Sequence, residues 1–264
     1  MGIFDGYARR GVPVREFPVV DGHCHIDAMA NMEAPSLDDF VCEMDRVGID
    51  VAAISSCMAL CGDVSGGNDR TKAAALSYPG RFIAYCHVSS AFPGLMESEL
   101  SRCFSHACFR GIKVYALATD YLDQSFGAVW DFAECRNVPV LCHTWAGELF
   151  GLDEVALKHP GAQFIVAHAG SSGSYEPYVS IARRCANVSL DTADPEEHTG
   201  MLECLVSDVG DDRLVFGSDA GCVSLPHQIG KVLFARISDD SKRKILAGNA
   251  LRLFGDAPPL RRGK

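Results

Sequence analysis

The stretch Val19-Val20-Asp21-Gly22-His23-Cys24-His25-Ile26-Asp27 decides how this chain is read. Phe17 to Val20 is an apolar run of strand character, and two histidines follow it at i and i+2. In extended backbone, residues two apart project to the same side, so His23 and His25 point together while Cys24 faces away. Two imidazoles converging at a strand end are half of a metal site. Two ligands do not hold a metal, so the pair gains meaning only if other strands bring donors to equivalent places.

Working outward, the chain repeats one pattern. Ser36 with Asp39 three positions on is a capping signal, and Leu37, Phe40, Val41, Met44 and Val47 recur at helical spacing until Gly48. Further short, β-branched strands are expected at 51–55, 82–88, 111–115, 138–142, 163–167, 188–190 and 214–216. Helices are expected between them at 69–77, 96–106, 126–135, 152–158, 178–185 and 201–209, with two more at 227–237 and 241–254. Cys61 to Gly67 reads as a glycine-rich loop. Strand centres recur every 24 to 34 residues or so, the length of one strand–helix unit. Strands this apolar are buried on both faces, as in a parallel sheet. Eight such units predict an α/β fold, a (β/α)₈ TIM barrel, as one domain over residues 1–264. An open doubly wound sheet would place a glycine-rich phosphate turn after the first strand, where this chain has His-Cys-His.

Composition agrees. The 264 residues are 48% hydrophobic and 22% charged, ordinary for a globular protein. A formal net charge of −10 argues against a nucleic-acid or anionic-membrane partner. The basic ends, Arg9-Arg10 and Arg261-Arg262-Lys264, are short enough to read as solvated termini. No apolar run reaches the ~20 residues that span a bilayer, and the first residues lack a secretory apolar core, so a cytoplasmic location is expected. The twelve cysteines show no CxxC pair. Many (Cys42, Cys57, Cys86, Cys103, Cys135, Cys142) fall inside apolar elements, which predicts buried thiols rather than disulfides.

A barrel places its chemistry at the C-terminal ends of its strands. His143 directly follows the fifth strand and His168 the sixth, and Asp219 comes after the eighth in Phe216-Gly217-Ser218-Asp219. With His23 and His25, four strands send nitrogen or carboxylate donors to one rim, a set suited to Zn²⁺ or another borderline divalent ion with an open position. His87 ends the third strand and either lines that rim or packs. His106, His159, His198 and His227 fall in helices or far loops and read as surface residues.

These pieces resemble the amidohydrolase superfamily, in its amidohydrolase-2-like branch of small metal-dependent hydrolases, lactonases and aminocarboxymuconate-semialdehyde-type decarboxylases. The resemblance is carried, in order along almost the whole chain, by DGHCHID, GIKVY, LCHTW, VAHAG, FGSDA and the closing GNALRLFG. It implies that His23, His25, His143 and Asp219 bind a divalent metal, most simply one zinc ion, with manganese, iron or cobalt as alternatives. It implies that Asp219 and His168 are catalytic, His168 standing beside the metal or entering its ligand set. Some superfamily members carry a carboxylated lysine after the fourth strand that bridges two ions; Lys113 lies on that strand, and one ion is the expectation here. Lys113, Tyr115, Trp145 and Arg70, the last in the loop after the second strand, are the candidate substrate contacts, with Glu148 and Asp194 also near the pocket. Asn249 and the apolar residues of the closing helix take a structural role. The segments 58–69 and 115–124 are the available lid material.

The function expected is metal-dependent hydrolysis: hydroxide on the metal attacks the carbonyl of an amide, ester or lactone in a small molecule, and Asp219 moves the proton. The alternative is non-oxidative decarboxylation of a small carboxylic acid at the same site, which asks for a fixed cation near the carboxylate, Arg70 or Lys113. A barrel that binds a metabolite without turnover is the rival from another class, and it predicts that His23→Ala leaves function unchanged. The sequence is compatible with a homo-oligomer.

Overall fold

The computed structural model describes residues 2–27, 36–116, 119–194 and 198–255. Eight strands follow one another around a barrel: β1 (Val20–His25), β2 (Val51–Ser55), β3 (Phe82–Ser89), β4 (Phe109–Tyr115), β5 (Pro139–Cys142), β6 (Gln163–Val166), β7 (Val188–Asp191) and β8 (Leu214–Val215). Each pairs in parallel with the next, in sequence order. The helices are α1 (Ile3–Arg10), α2 (Leu37–Val47), α3 (Cys57–Leu60), α4 (Val64–Ser77), α5 (Met96–Cys103) and α6 (Gly127–Arg136). They continue as α7 (Leu152–Lys158), α8 (Glu176–Arg184), α9 (Met201–Val209), α10 (Leu225–Phe234), α11 (Asp239–Arg243) and α12 (Asn249–Phe254). Among the described residues no helix is long and apolar enough to cross a membrane.

The circle closes through the backbone beyond β8. Gly22 N donates to Phe216 O at 2.7 Å, Asp219 N to His23 O at 2.7 Å, and His25 N to Ala220 O at 2.7 Å. This seam requires glycine where the strands touch: a Cβ at Gly22 would lie 2.8 Å from the Val215 side chain and 3.2 Å from Phe216 O. Within β1 the register slips between Asp21 and Cys24, so that Gly22 and His23 together face Ala53 of β2.

The barrel interior is layered. Val20, Ala53, Ile83, Tyr85, Leu141, Ile165 and Val215 form an inner apolar cluster, capped below by Ala250, Leu253 and Phe254 of α12. Gly111 leaves room there for Tyr85, whose ring carbons would lie 2.6–2.7 Å from a Cβ at that position. Counting onward in twos from this layer leads to Ser55, His87, Lys113, His143 and Asp191, because alternate residues share a face. A polar layer therefore stands directly on an apolar floor. The larger core lies outside the strands, between them and the helices.

Four expectations need correction. Cys61–Gly67 is not simply a loop: α4 starts at Val64, with the Asp63 carboxylate accepting from Gly66 N at 2.9 Å, and a Cβ on Gly67 would strike Ala59 of α3. The proposed lid segment 58–69 is thus largely helical. At the N-terminus, Arg9 and Arg10 are exposed as expected, but they end a helix that buries Phe4 and Tyr7. Cys42 and Cys135 are exposed, whereas Cys57, Cys86, Cys103 and Cys142 are buried, and every cysteine is a free thiol. The expected closing helix is broken into α11, a wide turn at Lys244–Gly248 and α12. Asn249 holds it in place by donating to Asp211 O and Leu214 O, both at 2.7 Å. Arg261, Arg262 and Lys264 lie outside the described residues, as does part of the 115–124 segment.

Candidate active site

The closing seam carries the two histidines of β1 against the turn after β8. Asp219 adopts a left-handed backbone, φ +54°, which a short carboxylate side chain tolerates, and this turns its Oδ1 toward the barrel axis. His25 Nε2 lies 3.1 Å and His23 Nε2 3.5 Å from that oxygen. These three donor atoms form one of the convergent groups in the polar layer.

His23 has its tautomer fixed from both sides. Its Nδ1 meets Asp191 Oδ2 at 2.6 Å, and its Nε2 meets Lys113 Nζ at 3.1 Å. A carboxylate only accepts and a lysine only donates, so the proton sits on Nδ1 and the Nε2 lone pair faces the mouth. Burial and the nearby Lys113 charge push the His23 pKa well down, keeping the ring neutral. Burial raises the Asp191 carboxyl to about 6, still ionised at neutral pH. Its other oxygen accepts from Ala193 N at 2.8 Å. Gly217 makes this pair possible, since a Cβ there would lie on Asp191 Oδ1 and 2.9 Å from the His23 Cβ. His25 Nδ1 meets Ser55 Oγ at 3.1 Å, a partner that serves either tautomer.

His168, one residue past the expected sixth strand, is buried with φ +60°. Its Nδ1 lies 2.6 Å from Ala193 O, which accepts only, so the neutral ring presents a lone pair at Nε2. Burial lowers its pKa, as it does for His143. The His168 ring lies 5.0 Å from His23, 4.9 Å from His143 and 5.4 Å from Trp145, centre to centre. His143 stacks on Tyr115 at 3.9 Å with a 14° interplanar angle. It belongs to none of the convergent donor groups among the described residues and meets the centre through His168.

The structure thus brings His23, His25, His168, Lys113 and Asp219 together, with His143, Tyr115 and Trp145 as an aromatic wall. Arg70 stands apart. It is on α4 rather than in a loop, is 57% exposed, and pairs with Asp27 at 3.2 Å. Asp27 in turn accepts from Ser56 Oγ and Cys57 N, both at 2.5 Å, fixing the start of α3. Asp191, Ser55 and Asp27 were missed by the sequence reading. Asp191 was within reach: it shares the inward face of β7 with Ser189, one residue past the expected end of that strand.

The donors fit a metal ion. At bond lengths of 2.0–2.2 Å, tetrahedral ligands stand about 3.4 Å apart, and the spacings from Asp219 Oδ1 to the two histidines bracket that value. Asp191 supplies the outer carboxylate that such histidines usually carry.

Comparisons with known proteins bear on the fold. The amidohydrolase family model matches residues 20–255. No curated protein matches the sequence. Among similar solved structures is 5-carboxyvanillate decarboxylase from Sphingomonas paucimobilis, with 16% identity, TM-score 0.71, and coverage of 90% of this chain and 98% of that one. Dihydroxybenzoic acid decarboxylase from Polaromonas, with bound manganese, shows 19% identity, TM-score 0.71, and coverage of 90% and 96%. A protein described as 2-pyrone-4,6-dicarboxylic acid hydrolase from Pseudomonas putida shows 15% identity, TM-score 0.71, and coverage of 90% and 97%. At these identities the likeness establishes the shared barrel.

Proposed function

This chain belongs to the amidohydrolase family, and on that premise we propose that it is a metal-dependent hydrolase cleaving an amide, ester or lactone bond of a small molecule in the cytoplasm. The observation that carries the reading is the convergence of His23 Nε2, His25 Nε2 and Asp219 Oδ1 on one point at the barrel mouth. These three residues would hold a single divalent ion, zinc in our reading, with His143 approaching from the far side of His168. A bound ion supplies Lewis acidity, polarising a carbonyl and acidifying water.

The chain's own groups divide the remaining work. Asp219 would accept a proton from water and pass it to the leaving group; against the upward push of burial, the hydrogen bond to His25 holds its carboxyl below the usual range and keeps it ionised at neutral pH. His168, with Nδ1–H committed to Ala193 O, offers an acceptor at Nε2 and receives rather than donates while neutral. Lys113 Nζ stands 3.1 Å from His23 Nε2; with that lone pair given to the ion, its N–H groups would serve a developing oxyanion. Tyr115 and Trp145 supply flat apolar walls for a small substrate.

A second reading is decarboxylation, the activity for which the Sphingomonas and Polaromonas proteins are named. That chemistry asks for a cation free to hold a carboxylate; Arg70 is tied to Asp27, so the role would fall to Lys113. Hydrolysis ranks first in our reading because the metal donors and Asp219 suffice for it. The test is a paired screen of zinc-loaded enzyme: acid release from simple lactones, esters and amides, and CO₂ release from hydroxybenzoates. Acid release that falls by about 10²–10⁴-fold in Asp219→Asn supports hydrolysis. CO₂ release without hydrolysis overturns it.

A further inference from the structure

Two of the free thiols meet at the barrel mouth, on the flank of the centre already described. Cys57 opens α3 and is buried; Cys222 lies in the turn beyond Asp219 and is half-buried. Their sulfur atoms and a ring nitrogen of His25 lie within 4.8 Å of one another. Both are held by the backbone that shapes the site: Cys57 N donates to Asp27 Oδ1 at 2.5 Å, and Cys222 N donates to Asp219 O at 3.0 Å. A metal–sulfur distance of about 2.3 Å places tetrahedral sulfurs about 3.8 Å apart. Side-chain rotation that closes the trio by about an ångström is enough to complete such a set.

We propose that Cys57, Cys222 and His25 form a thiolate–imidazole site for a thiophilic divalent cation such as zinc or cobalt, a proposal that rests on reading the neighbouring His23, His25 and Asp219 as a metal centre. His25 belongs to both sets, with Nδ1 on Ser55 and Nε2 beside Asp219, so one ion at a time is held there. On loading, each thiol releases its proton to solvent as the metal–sulfur bond forms, and no oxidation state changes. Sulfur at the mouth selects borderline and soft ions over manganese, which prefers oxygen donors. The site therefore takes zinc or cobalt in preference to manganese.

The test uses the full chain, reduced, stripped of metal and titrated anaerobically with Co²⁺. The expected result is a near-ultraviolet sulfur-to-cobalt charge-transfer band alongside the visible d–d bands. Cys57→Ser and Cys222→Ser should each weaken the charge-transfer band, and the double variant should lose it while keeping d–d bands and a wild-type circular dichroism spectrum. Visible bands without charge transfer in the wild type, or a charge-transfer band that survives the double substitution, overturn the thiolate site and leave the neighbouring centre intact. Absence of any cobalt spectrum overturns both readings together.

Discussion

At the scale of single residues, the account rests on how each imidazole is held. Asp191 fixes His23 with a 2.6 Å contact, so Asp191→Asn should weaken zinc binding by about 10–100-fold. Competition against a chelator measures this, and unchanged affinity would show that the carboxylate does not orient the ring. His87 tells a different story. It is buried beside Lys113 with Nε2 unpartnered, and burial depresses its pKa to about 3. The unfolded chain, with an ordinary histidine pKa near 6.5, therefore binds the proton more readily between those values. Stability from this residue is full above about pH 6.5 and is lost as pH falls toward 3. Between pH 7.5 and 5.5 the loss is about 1.4 kcal/mol. Urea unfolding of the wild type and His87→Gln at both values reads it as the difference between the two pH dependences; identical dependences would contradict it. His23, His25, His168 and Asp219 were legible as site candidates because each lies at or just past the end of an expected strand. Asp191 was overlooked because the short seventh strand runs one residue further than its apolar content suggests.

At the scale of elements, α12 and the inner strands show what keeps the site rigid. Phe254 packs edge-on to Tyr85 at 5.7 Å beneath the polar layer, so Phe254→Ala should cost about 3–5 kcal/mol. Gly111→Ala places a methyl against the same Tyr85 ring and should cost about 1–3 kcal/mol by overpacking. Denaturant midpoints at constant m-value check both, and a neutral Gly111→Ala would mean that Tyr85 has another rotamer to use. The eight-strand order was readable from the repeating strand–helix period. The α3–α4 region was not. Its glycines read as loop because they depress helix propensity, yet Gly67 is what lets the two helices touch. The seam between β1 and the turn beyond β8 was also hidden, since it joins backbone groups almost two hundred residues apart.

For the whole molecule, an ion that binds only the folded barrel must also stabilise it. Zinc at about a hundred times its dissociation constant adds about 2.7 kcal/mol, which raises the thermal midpoint by roughly 5–10 °C for a chain of this size. A midpoint indifferent to zinc after chelation would argue against a centre built into the fold. The most direct test of the central claim is metal content per chain, by elemental analysis of protein purified without chelators or a histidine tag. We predict about one equivalent in the wild type and in Lys113→Ala, and less than about a tenth of that in a His23→Ala, His25→Ala double variant. Two equivalents falling to one in Lys113→Ala would replace the single-ion centre with a bridged pair. No metal in the wild type, even after zinc or manganese is added, would contradict the account at its root.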